Sequence, residues 1–246
     1  MNYFIGNWKM FGILSSAKIA QKVNNFITSD KNRGRYKAII TPPFTLINSF
    51  AKLFKKKRIN IGAQNCFFKD PFSSDTGSVS ASMVKNAGAK YVIIGHSDNR
   101  AEGDTSAILK AKCSAAKNNG LKIIYCIGEN KKQKKAGKTL SVLRNQIEEV
   151  LSKNIKKQNL IVAYEPIWSI GTGKIPQSEN LNKTIVYVKK ILRNIFKNSP
   201  PVLYGGSIDA FSVKKYKYLK TIDGFLIGGA SKSSKNFIDI IKNYYR

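Results

Sequence analysis

Apolar residues follow two alternating periods along the chain. Short, nearly unbroken runs fall at residues 3–6, 38–40, 59–63, 91–94, 122–127, 160–164, 202–204 and 224–227, and each predicts a strand. Between them, residues 15–27, 44–54, 80–87, 105–118, 139–151, 178–196, 211–218 and 235–243 carry apolar residues at helical spacing, several behind a Ser or Thr suited to capping. Strands apolar at successive positions are buried on both faces, which predicts a parallel sheet wrapped by helices. Eight strand–helix units in 246 residues match the size of a single (β/α)8 barrel, and a doubly wound open sheet would share much of this pattern. No Gly-, Ser- or Pro-rich linker divides the chain and no close repeat occurs in it, so residues 1–246 are expected to form one domain.

In barrels of this kind, sites are built from the loops that follow the strands. Those positions hold Asn7-Trp8-Lys9, Gln64-Asn65, Gly95-His96-Ser97, Glu165, Gly205-Gly206-Ser207 and Gly228-Gly229-Ala230-Ser231. The stretch 161–174 organises the rest. Its apolar run leads into Glu165, and Pro166 then removes a backbone donor and ends the strand. The loop beyond is apolar at Ile167, Trp168 and Ile170, as a segment that closes over a site would be, and Gly171 and Gly173 offer backbone N–H groups to an anion. Paired glycines after the last two strands, with Ser207 and Ser231 as expected extra donors, predict a phosphate corner. Gly171-Thr172-Gly173-Lys174 lacks the upstream glycine and the trailing hydroxyl of a nucleotide-binding P-loop.

Charge changes the picture less than its size suggests. The chain carries 43 Lys and Arg against 14 Asp and Glu, a formal charge of +29. The lysines are scattered over predicted helices and turns along the whole chain rather than gathered with aromatic residues, so no nucleic-acid partner is expected. The densest runs, 55–58 and 131–135, read as solvated connections. Three cysteines without a CxxC pair and a single histidine, His96, predict neither a disulfide framework nor a metal site. The sequence shows neither a signal peptide nor a membrane span, and a cytoplasmic location is expected. A carboxylate, one histidine and one strand-end lysine leave proton transfer or a lysine Schiff base as the chemistry. A phosphate-binding barrel such as an aldolase or a sugar-phosphate isomerase fits as well.

Taken together and in order, Asn7-Trp8-Lys9, Gly95-His96-Ser97, Ala163-Tyr164-Glu165-Pro166-Ile167-Trp168, Gly171-Thr172-Gly173, Tyr204-Gly205-Gly206-Ser207 and Gly228-Gly229-Ala230-Ser231 resemble the triosephosphate isomerase family over the whole chain. The resemblance implies the closed eight-stranded parallel barrel and a cofactor-free isomerase interconverting dihydroxyacetone phosphate and D-glyceraldehyde 3-phosphate through an enediolate. It implies Glu165 as the base, His96 as neutral electrophile and proton shuttle, Lys9 as electrostatic partner and Asn7 as a positioning group. Gly171, Ser207, Gly228 and Gly229 would hold the phosphate, and residues 166–174 would form the lid. A homodimer is implied as well, through the loop 65–78 that begins at Asn65 and ends at Ser78. Three departures stand out: Asp98-Asn99-Arg100 where the family pattern has Glu-Arg-Arg, Ser78 where it has Glu, and Lys232 where it has Leu. An acid one methylene shorter at Asp98 questions how Lys9 is held.

Overall fold

A computed structural model describes residues 1–246. Its eight strands are β1 (Asn2–Asn7), β2 (Tyr36–Thr41), β3 (Asn60–Ala63), β4 (Tyr91–Ile94), β5 (Lys122–Ile127), β6 (Leu160–Tyr164), β7 (Val202–Tyr204) and β8 (Gly224–Ile227). All pairings are parallel, and β1 pairs with both β2 and β8, so the sheet closes into a barrel in chain order. That closure decides against the open sheet. Alternation along the strands divides the apolar residues into two layers. Ile5, Ile39, Ile93, Ile124, Ala163, Leu203 and Leu226 fill the barrel interior, whereas Phe4, Ile40, Val92, Ile123, Val162 and Phe225 belong to the larger core beneath the helices.

Nine helices surround the barrel: α1 (Ala17–Ser29), α2 (Phe44–Leu53), α3 (Ala81–Asn86), α4 (Ser97–Ala101), α5 (Ser106–Asn118), α6 (Lys131–Lys135), α7 (Thr139–Glu148), α8 (Ser178–Phe196) and α9 (Ser234–Tyr245). Ser80, Thr105 and Ser233 accept backbone N–H bonds at the starts of α3, α5 and α9, which satisfies donors the first turn leaves orphaned.

Two expectations fail. The predicted helix at 211–218 is only a 3-10 turn at Ser212–Lys215. Its apolar residues Val213, Tyr216, Leu219 and Ile222 recur every three residues rather than every 3.6. The backbone follows that period through Tyr216 N–H to Val213 O, Leu219 N–H to Tyr216 O and Ile222 N–H to Leu219 O. The run 131–135, expected as a solvated connection, is the helix α6, closed at its start by reciprocal bonds between Asn130 and Gln133. No helix is long and apolar enough to cross a membrane.

Candidate active site

The C-terminal end of β1 delivers Asn7 and then turns sharply. Lys9 takes φ +53, a left-handed backbone unusual for a side chain with a Cβ. Asn7 Oδ1 accepts the Lys9 N–H at 3.0 Å, while Gln64 Nε2 donates to Lys9 O at 2.9 Å and to Thr41 O at 2.8 Å. The strained residue is thus fixed from both sides, as strain at a functional position requires. Its ammonium lies 3.0 Å from Asp98 Oδ2, so the shorter acid still reaches Lys9. Partial burial alone would raise the Asp98 carboxyl, but the hydrogen bond from Lys9 and its charge outweigh burial and hold the group below its ordinary value.

His96 sits at the start of α4, and its Nδ1 accepts the Asp98 backbone N–H at 3.1 Å. A ring nitrogen that accepts carries no proton, so the imidazole is neutral and its N–H is on Nε2. The Asp98 carboxylate lies 3.5 Å from the same nitrogen, but it is more than half exposed and does not replace the amide donor. Nε2 points toward Glu165 Oε1, 3.8 Å away.

Glu165 follows β6 and is only 5% exposed. Its Oε2 is buried without any hydrogen-bond partner. Burial pushes its carboxyl above the ordinary value, and His96, the Cys126 thiol and Lys9 only partly oppose this. A carboxylate so desolvated, with one oxygen free, is a stronger base than an exposed glutamate. Gly205 packs against it. A methyl group there would fall within 3.1 Å of Glu165 Cδ and Oε1 and nearer still to Cγ.

All eight residues singled out in the sequence line one cavity of about 510 Å³: Asn7, Lys9, His96, Glu165, Gly171, Ser207, Gly228 and Gly229. A Cβ at Gly228 or Gly229 would meet nothing within 4 Å, so the protein leaves that space empty beside their backbone. The serines behave differently from expectation. Ser207 Oγ donates to Ser169 O at 2.6 Å and accepts from Gly173 N–H at 3.2 Å, so these groups tie the loop 166–174 to the end of β7 rather than standing free for an anion. Ser231 is fully buried, its hydroxyl bonded to Gly228 O at 2.7 Å, and is no donor to the cavity.

The loop is docked at its other end too. Trp168 Nε1 donates to Glu129 Oε1 at 2.7 Å, and Tyr164 OH donates to Glu129 Oε2 at 3.1 Å. Lys134 Nζ lies 3.1 Å from the centre of the Trp168 ring. Sequence reasoning missed Glu129, the Cys126 thiol and Leu226, which with the lid's Ile170 forms apolar walls of the cavity. It also missed Arg100, which donates to Gly95 O, Tyr125 OH and Cys126 O and so pins the ends of β4 and β5. Chemically, the site offers a buried base, a neutral N–H donor beside it and an ion-paired cation. Lys9, engaged with Asp98, has a charge to offer rather than a free amine, so acid–base chemistry fits better than a Schiff base.

The family model for triosephosphate isomerase matches residues 2–244. A triosephosphate isomerase from Bradyrhizobium diazoefficiens is 36% identical over 241 residues, covering 96% of this chain and 95% of that protein. One from Chlamydia trachomatis is 35% identical over 246 residues, covering 98% of this chain and 89% of that protein. The crystal structure of triosephosphate isomerase from Bartonella henselae superposes with a TM-score of 0.91 at 32% identity, covering 100% of this chain and 99% of that one.

Proposed function

The chain belongs to the triosephosphate isomerase family, and from that premise we propose that Glu165, His96, Lys9 and Asn7 carry out the family's reaction in this cavity. The enzyme interconverts dihydroxyacetone phosphate and D-glyceraldehyde 3-phosphate through an enediolate, in glycolysis and gluconeogenesis. Glu165 takes a proton from C1 of the ketose, and the electron pair moves onto the carbonyl oxygen. His96 Nε2–H donates to the developing oxyanion and relays a proton between the two oxygens, Lys9 balances the charge, and Asn7 helps position the oxygens. Glu165 returns its proton at C2. Gly171, Gly228 and Gly229 form the phosphate corner, Ser207 fastens the lid beside it through Ser169 and Gly173, and residues 166–174 act as a lid that excludes water while the enediolate exists. The steps are proton transfers alone and call for no cofactor.

One observation carries these roles. A buried carboxylate with an unpartnered oxygen lies 3.8 Å from the N–H of a neutral imidazole, at the wall of a cavity that ends in glycines. A coupled assay interconverting the two triose phosphates tests the roles. Wild-type turnover lost by at least about 100-fold in Glu165→Gln supports them, and undiminished turnover in that variant ends them.

The assembly we propose is a homodimer with one (β/α)8 domain, residues 1–246, in each copy, located in the cytoplasm and without a nucleic-acid partner. Within the loop 65–78, Cys66 turns into its own core, Phe67 and Phe68 lean on each other at 4.4 Å, and Phe72 remains 76% exposed. Met10, Ile13 and Leu14 after β1, Phe44 after β2 and Met83 on α3 are exposed on the same sector of the barrel. So much apolar surface on adjacent connections fits a second copy. With Ser78 and Asn99 in place of a charged pair, that contact is mostly apolar. Light scattering at micromolar concentration reads twice 27.4 kDa if it forms, and a fully active 27.4 kDa species refutes it.

A further inference from the structure

A second cavity of about 510 Å³ flanks the lid, walled by Lys131, Lys134 and Lys135 of α6, by Trp168, and by Thr172 and Lys174 of the lid. The spacing i, i+3, i+4 puts the three α6 lysines on one side of its single turn, where like charges repel. None of the six lining residues is acidic. Glu129, buried behind Trp168 and bonded to its indole, offsets one of the four charges. About three uncompensated positive charges therefore converge on a concave site of ligand size, with an indole and a hydroxyl at hand.

We propose that this cavity binds a polyphosphate chain of three or more phosphates, spanning α6 and the lid. Point-like ammonium groups with freely rotating donors suit such a ligand better than a planar carboxylate, which calls for arginine. Each ammonium–phosphate contact near 4 Å in water contributes roughly fivefold. A chain that makes three of them is favoured over a single charge that makes one by about 25-fold. A ligand held by Lys131 and Lys135 on one side and Lys174 on the other fixes the lid in the docked position seen here. By reciprocity it tightens substrate binding and slows the opening that turnover needs. The effect on turnover rests on the lid role proposed above; the binding does not.

The test uses the intact enzyme with its catalytic cavity saturated by dihydroxyacetone phosphate, so that a phosphate chain cannot bind there. Inorganic tripolyphosphate and a nucleoside triphosphate are titrated separately, with Trp168 fluorescence as the readout; the other indole, Trp8, is fully buried. Wild type should give a saturable response that weakens from about 0.01 M to 0.15 M salt as screening shortens from about 30 Å to 8 Å. Lys131→Gln/Lys135→Gln should keep its basal kcat and KM and lose about 25-fold in affinity. Equal affinities for the two ligands assign the site to the bare chain, and a tighter nucleoside triphosphate assigns it to the nucleotide. No saturable response with the catalytic cavity filled, or the same affinity in the double variant, overturns the site. Binding that leaves kcat unchanged removes the coupling to the lid and keeps the site.

Discussion

Gly205 allows the catalytic geometry to be perturbed without touching a charged group. In Gly205→Ala the new methyl would come closer than 3.0 Å to Glu165 Cγ, and to 3.1 Å from Cδ and Oε1, where ordinary contact begins at 3.4 Å. The Gly205 N–H bond to Tyr164 O at 2.8 Å anchors the backbone behind the methyl, so the glutamate side chain is the part that moves. Restoring contact displaces the carboxylate by about 1 Å, a shift that costs roughly 100-fold in rate when it falls on the reacting group. Overpacking should cost about 1–3 kcal/mol of stability. Steady-state kinetics should therefore show kcat down by about 100-fold with KM within about threefold, since the phosphate corner is untouched, in a protein that still melts cooperatively. A folded variant with kcat within about threefold of wild type would show that the base is not held in place by packing against Gly205.

Three further outcomes follow from the same geometry. Because burial raises the Glu165 carboxyl above 4.5, the folded enzyme holds that proton more tightly than the unfolded chain, and stability is lost as pH rises through the folded value. Glu165→Gln should melt at the same temperature as wild type near pH 4 and higher at pH 8, while the acid limb of wild-type kcat/KM lies above 4.5; equal melting temperatures at both pH values would contradict this. Asp98→Ala breaks a pair whose acid is 58% exposed, so stability should change by less than about 1 kcal/mol, while kcat/KM falls about 10- to 100-fold as Lys9 loses its anchor. An unchanged kcat/KM would free Lys9 from that dependence. Trp168→Phe removes the 2.7 Å donor to Glu129, which is 1% exposed, and should cost about 1–3 kcal/mol in urea unfolding; no loss would mean that Glu129 finds another partner.

What the sequence revealed and what it hid divide along physical lines. Strands β4 to β8 begin and end where their apolar runs do, because a strand buried on both faces leaves a continuous signature stopped by glycine, proline or a polar residue. Helices α4 and α6 have five residues each, too few for a 3.6-residue period to be visible. Strand-end groups such as Glu165 and His96 were legible because a polar residue at the end of a buried run has few structural reasons to be there. Groups that act through distant partners were not. Lys112 looks like any solvent-facing helical lysine, yet it is 5% exposed and bonds Asp104 and Asn65, fixing the root of the loop 65–78. Leu226 reads as core, and only barrel closure shows that its end of β8 faces the cavity.

The seam between β1 and β8 constrains how the protein is made. Tyr3 pairs with Gly224, Trp8 donates to Ser231 O, and Tyr245 OH bonds Asn2 Oδ1, so the first residues find their final partners only among the last. Ribosomes add about 5–20 residues per second, which separates the emergence of β1 from that of β8 by roughly 10–45 s. During that interval the nascent sheet has one open edge at β1 and another at whichever strand was added last. Unpaired parallel edges recruit foreign strands, so the late arrival of β8 decides whether a ring or an aggregate forms. A stalled ribosome that has exposed β1 to β7 should hold a chain sensitive to protease and bound by chaperones, and release of the final residues should end both at once.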